Sequence, residues 1–179
     1  MQFINERAYE WLVISQSYLQ CALISARILK QKLSKFQPSD NYPRDLQIKE
    51  WWGDYPHPPE YLIFPIIFNF KHGIEIYLKA IAGIKNSEFD KNHNLLSLMR
   101  VIEDEEVKSL ITKYAFSRLL LPNNNLEDSE NQFERYPQNN PYDGLEFFLS
   151  IDEKGVIDEL IKDIEFLHKK LREYSNSLP

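Results

Sequence analysis

The chain has 179 residues, 43% hydrophobic and 27% charged, a composition that fits one globular domain with a sizeable core and excludes wholesale disorder. A net charge of −6 and a pI near 5.3 exclude a global basic field for nucleic acid or anionic membrane, so no membrane and no DNA partner is expected. The single cysteine, Cys21, excludes an internal disulfide and any multi-cysteine metal site.

The first predicted element is a long amphipathic helix over about 5–36. Leu12, Ser15, Leu19, Ala22, Ala26, Leu29 and Leu33 recur at alternating spacings of four and three, the apolar stripe of a helix packed on a core. Cys21 lies in this helix and reads as a small core residue. The prolines and polar turn formers of "QPSDNYPRD" (37–45) end it. Residues 46–59, with Trp51, Trp52 and "GDYPHPP", read as an aromatic, proline-rich loop folded over a core edge. A second long helix starts near Pro59 or Glu60 and runs to about Ile84, with Pro65 implying a kink or a later start.

A short helix over about 93–103 and another over about 105–120 follow, with acids from Glu103 to Glu106 at their junction, where they suit the N-terminal dipole of the later helix. The polar, Asn- and Pro-rich stretch 122–143 reads as a long loop. "LEFFLSI" (145–151) fits a short strand or a helical turn equally well. The last helix, about 154–175, places Ile157, Leu160, Ile164, Leu167, Leu171 and Tyr174 on one stripe. The expected fold is therefore all-α, a single-domain up-and-down bundle of four to five helices over residues 1–179.

Charge is unevenly spread. Residues 1–36 hold five Lys/Arg against two Asp/Glu, whereas residues 100–153 hold five against twelve. The N-terminus lacks the basic-then-apolar order of a signal peptide. No 18-residue run is free of charge, and the 61–84 segment comes nearest but carries Lys71, His72, Glu75 and Lys79. The expected location is cytoplasmic.

Those four residues pose the central question, because the rest of the segment is Phe, Ile, Leu and Ala. On a helix they fall within one arc of about 100°, and Glu75 stands four residues from both lysines, so one carboxylate reaches two ammonium groups. Gly73 thins the helix beside them and allows close approach of a neighbour. One reading makes the arc the wet side of an amphipathic helix. The other makes it the lining of a cleft, with His72 as a proton donor or acceptor.

"FNFKHGIEIYLKAIAGI" followed by "NHNLLSLM" (92–99) resembles the HEPN domain family, through Lys71, His72, Gly73, Ile74, Glu75, Leu78 and Lys79, then His93, Asn94, Leu95 and Leu98. "FERYP" (133–137) is similar to a segment found in one branch of that family, through Arg135, Tyr136 and Pro137. The resemblance implies a helical bundle that commonly forms homodimers, in prokaryotic settings such as toxin–antitoxin pairs, phage defence and RNA processing. It implies Lys71, His72, Glu75, Lys79, His93, Arg135 and Tyr136 as binding residues. The ribonuclease members use an Arg followed four to six residues later by His, and this chain departs from that pattern: its shortest such interval is Arg44 to His57.

Three functions follow as expectations. The first is a HEPN-like binding or regulatory protein whose partner is RNA or another protein. The second is a divergent metal-independent endoribonuclease, with His72 and His93 as acid and base and Arg135 as the cation, alongside Lys71 or Lys79. The third is a dimerisation scaffold without a ligand. No cofactor or metal is expected, since Lys71 and Lys79 would repel a cation from the His72–Glu75 pair. His93 has a structural alternative as the cap of the short helix, and His168 reads as a boundary residue beside Leu167.

Overall fold

The computed structural model describes residues 2–35, 63–86, 91–115 and 154–177. They form five helices: α1 (Gln2–Lys35), α2 (Ile63–Asn86), α3 (Leu95–Leu98), α4 (Glu105–Ala115) and α5 (Lys154–Ser177). A single 3₁₀ turn, Met99–Val101, continues α3. No strand occurs among the described residues, so the all-α expectation holds.

Contacts between the helices fix their directions. Arg27 and Lys30 of α1 pair with Glu165 and Asp158 of α5, each at 2.6 Å, so the two run antiparallel. Phe70 of α2 packs edge-on to Tyr114 of α4 at 4.6 Å, and Lys85 at the other end of α2 donates to the Val101 carbonyl, at 3.0 Å, and to Glu103. Helices α2 and α4 are therefore antiparallel too. Lys170 meets Asp104 while Lys113 meets Glu159, which reverses α5 against α4. Helices α1, α2, α4 and α5 thus alternate up and down.

The core stripes are those expected from spacing. Leu12, Ser15, Leu19, Ala22, Ala26 and Leu29 of α1 are buried, as are Ile157, Leu160, Ile164, Leu167 and Leu171 of α5. Helix α2 is central: from Phe70 to Gly83 only His72 and Ile76 escape full burial, as befits a helix apolar nearly all round. Pro65 falls within its first turn, where a missing N–H costs nothing, so the later start applies. Close packing explains Gly73. A Cβ there would stand 3.0 Å from Leu19 Cδ2 and 3.3 Å from Tyr18 Cβ, and Ser15 Oγ donates to the Gly73 carbonyl at 2.8 Å.

Asp104 starts α4 by accepting from the Glu106 and Val107 amides, at 3.0 and 3.2 Å. These bonds come behind the Lys170 hydrogen bond in holding its carboxyl below the usual range.

Two expectations need correction. Cys21 is exposed rather than part of the core, because it faces away from the Leu19–Ala22–Ala26 stripe. The described stretch long and apolar enough to cross a membrane, by length and composition only, is Glu6–Lys32 of α1 rather than the 61–84 segment. The expected loops at 37–45, 46–59 and 122–143, the 116–120 end of the expected 105–120 helix, the 145–151 segment, and Arg135 and Tyr136 lie outside the described residues.

Candidate functional site

The polar arc of α2 is not a solvated face. Lys71 is 1% exposed, Glu75 2% and Lys79 6%, which overturns the reading of the arc as the wet side of the helix. Charged groups this deep are costly unless paired and hydrogen-bonded, and Glu75 is the hub of the pairing. Its Oε1 accepts from Lys79 Nζ at 3.0 Å and from His93 Nδ1 at 2.8 Å, and its Oε2 stands 3.7 Å from His72 Nδ1. The last distance is an electrostatic contact, too long for a hydrogen bond.

Burial alone would raise the Glu75 pKa, but the contacts with His72, Lys79 and His93 outweigh it and hold the carboxyl down at about 2. The group is an anion at any physiological pH, and that assigns the His93 tautomer. A carboxylate only accepts, so His93 Nδ1 carries the hydrogen and Nε2 is left as the acceptor of the neutral ring. Lys79 Nζ, 3.5 Å from the same Nδ1, is a second donor onto Glu75 rather than a partner of the ring.

The turn before α3 delivers His93 to this point. The Asn94 amide donates to Asn92 Oδ1 at 2.9 Å, and Asn94 Oδ1 accepts from the Ser97 amide at 3.0 Å. Asn94 rather than His93 is therefore the helix cap. Leu95 and Leu98 then anchor α3 in the core. The run "HNLLSL" thus resolves into an imidazole for Glu75, a cap and two anchors. His93 keeps 58% of its side chain exposed, with its anchored edge turned inward.

His72 is less open, at 23% side-chain exposure. Its ring stacks on Phe68 at 5.5 Å and meets the edge of Tyr18 at 4.7 Å. One carboxylate spans the gap between His72 and His93, so both rings serve a single locus. The structure therefore brings together His72, Glu75, Lys79 and His93; of the two lysines expected at Glu75 it is Lys79 that pairs with the carboxylate, while Lys71 is buried on the same face of α2. Three of these side chains are internal, His72 is intermediate, and His93 presents most surface. No group of three His, Cys, Asp or Glu among the described residues is disposed to hold a metal ion, and Lys79 Nζ already shares the Glu75 oxygen that His93 contacts.

A second polar cluster escaped the sequence reading. Tyr114 Oη donates to Asp163 at 2.7 Å, and Lys113 bridges Asp163 and Glu159. Burial, reinforced by Asp163, pushes the Tyr114 pKa up, so the phenol stays a donor. Its members satisfy one another across α4 and α5, a clamp rather than a site. His168 is intermediate in exposure, with its pKa lowered by burial and by Arg172, the boundary position expected of it.

Comparisons with protein-family models, curated proteins and solved structures give no match. The functional reading accordingly rests on this geometry and on the residue pattern that carries it.

Proposed function

We propose that the chain is a HEPN-like protein that binds RNA at the surface above Glu75, with His93 and the edge of His72 as its ligand-facing groups. The observation that carries this reading is the Glu75–His93 contact. A buried carboxylate, itself held by Lys79, fixes an exposed ring with one edge free for a ligand. Glu75 and Lys79 act beneath the surface as positioning residues, the ammonium holding the carboxylate that His93 contacts.

The test is retention of single-stranded RNA by the full-length chain, followed by anisotropy over a range of salt. Wild-type protein binds with a salt-dependent affinity. His93→Ala, at an exposed position, weakens binding about tenfold or more, the scale of one lost charge-assisted hydrogen bond. RNA binding equal in the variant, or none in the wild type at low salt, refutes the assignment.

The same contact favours a second reading, metal-independent RNA cleavage. A carboxylate-oriented imidazole is the arrangement of a general base, here for a 2′-hydroxyl. Incubation with RNA in the presence of a chelator decides this. Cleavage that leaves 2′-deoxy linkages intact and disappears in His93→Ala supports it, and intact RNA removes it while leaving the binding reading standing.

A further inference from the structure

One carboxylate serves two imidazoles at this site. Glu75 Oε1 accepts from His93 Nδ1 at 2.8 Å, and Oε2 stands 3.7 Å from His72 Nδ1. Because the Glu75 carboxyl is held at about 2, its charge is constant across the interval in which histidines as a class change theirs, about pH 5 to 8. The state of the His93 ring decides what it offers a ligand. With Nδ1 turned to Glu75, the ring meets solvent through Nε2. In a neutral ring that nitrogen accepts, whereas in an imidazolium it donates and carries positive charge. Phosphate oxygens accept, so a direct hydrogen bond from Nε2 to the RNA backbone needs the imidazolium.

Among the described residues, the charged and titratable groups around this ring come from α2 and from its own turn. Lys79 Nζ lies 3.5 Å from Nδ1 and opposes a further positive charge, but Glu75 lies nearer and pairs with both. Lys71 is buried on the same face of α2, and Lys91 is exposed two residues before the ring. His72 occupies the other side of the carboxylate, against Phe68 and Tyr18, and is the less exposed of the two rings. A cation on His93 therefore has a counter-charge on its inner nitrogen and open access on its outer one.

Resting on the RNA-binding reading above, we propose that RNA binding at this site is coupled to a proton: the backbone phosphate is held by the His93 imidazolium, and a neutral ring takes its proton from solvent at Nε2 as the ligand binds. The cleavage reading uses the opposite, neutral state of the same ring. The probe is oligouridylate, whose bases do not titrate near neutral pH, added to the full-length chain at constant ionic strength. Its affinity, followed by anisotropy, rises about tenfold or more between about pH 8 and about pH 5.5. His93→Gln binds weakly and without that pH dependence. His93→Arg, charged throughout, also loses the dependence and binds more tightly than wild type at about pH 8. His168→Gln keeps the wild-type profile, and circular dichroism shows that each variant folds. Calorimetry in two buffers of different ionisation enthalpy reads the proton taken up on binding. Affinity that is level over the same range, or equally pH-dependent in His93→Gln, overturns the coupling and leaves the binding reading standing. No binding at any pH at low salt refutes that reading and the coupling together.

Discussion

Replacing Glu75 with Gln removes one charge from the centre of the bundle and leaves the shape of the side chain intact. Two lines of reasoning give the cost. Breaking a buried ion pair by neutralising one member typically costs about 3–5 kcal/mol, because the other charge stays buried. Here that charge is Lys79, 6% exposed, which the Glu75 carboxylate holds at 3.0 Å. Independently, lowering the Glu75 pKa from 4.5 to about 2 corresponds to about 3 kcal/mol of stability at neutral pH. Gln retains a weak acceptor for Lys79, so the lower figure applies. For a chain of this length, about 3 kcal/mol lowers Tm by roughly 10 °C.

The sign of the pH dependence follows from the same shift. The folded pKa lies below the unfolded one, so the stabilisation is complete above the unfolded value of 4.5 and is lost as pH falls towards about 2. Urea unfolding of wild type and Glu75→Gln, followed from neutral to acid pH, shows a difference of about 3 kcal/mol that starts to narrow below about pH 4 and is nearly gone at about pH 2. A difference under about 1 kcal/mol at neutral pH, the scale of an exposed pair, refutes the buried-hub description. A gap that stays constant into acid attributes the loss to shape rather than charge.

Three further substitutions probe other parts of the argument, each by denaturant unfolding. Gly73→Ala gains about 1 kcal/mol of helix propensity but drives a Cβ against Leu19 and Tyr18, so a net loss of about 1 kcal/mol is expected; a more stable variant would contradict the close approach of α1 and α2. Tyr114→Phe leaves Asp163 with Lys113 alone and costs about 2 kcal/mol, the value of a buried bond to a charged acceptor, whereas no change would mean that water replaces the phenol. Asp104→Ala removes both the cap of α4 and the contact with Lys170, costing about 1 kcal/mol, of which Asp104→Asn recovers most by restoring the cap; equal losses in the two would make the Lys170 pair dominant.

Much of the bundle is legible in one-dimensional spacing because each long helix buries a single continuous stripe. The residues of α1 and α5 that recur at three and four are the buried ones, as far as Leu29 and Leu171. The same rule does not single out a second apolar set on α1, Ile14, Cys21 and Ile28, which stays exposed. These residues satisfy the identical period, and a sequence cannot tell which of two opposite apolar faces meets the core. The polar arc was legible as an arc, but its burial was not. Local periodicity separates the apolar face of α2 from the charged one and says nothing about what packs over either. The join between Glu75 and His93 spans 18 positions, beyond any helical period, so only the family-like pattern pointed to it. Tyr114 and Asp163, 49 apart, carried no signal, because a lone Tyr and a lone Asp on amphipathic helices look like a core edge and a wet face.

Stability is a poor reason for Lys71, Glu75 and Lys79 to occupy the middle of α2. Buried ion pairs rarely outperform well-packed apolar residues of the same volume, and replacing them is often neutral or stabilising. The surrounding helix already contributes Phe70, Ile74, Leu78 and Ile81 to the core, so three more apolar side chains at 71, 75 and 79 would fit its pattern. What apolar residues could not do is hold an imidazole at the surface. Glu75 reaches both rings, and the ring it hydrogen-bonds is the more exposed of the two, at 58% against 23%. The turn that carries His93 is fixed separately by Asn92, Asn94, Leu95 and Leu98, so the ring is constrained from both its backbone and its inner nitrogen. A buried charge network that orients a surface group is the ground on which the proposed ligand is assigned to His93 rather than to the core beneath it.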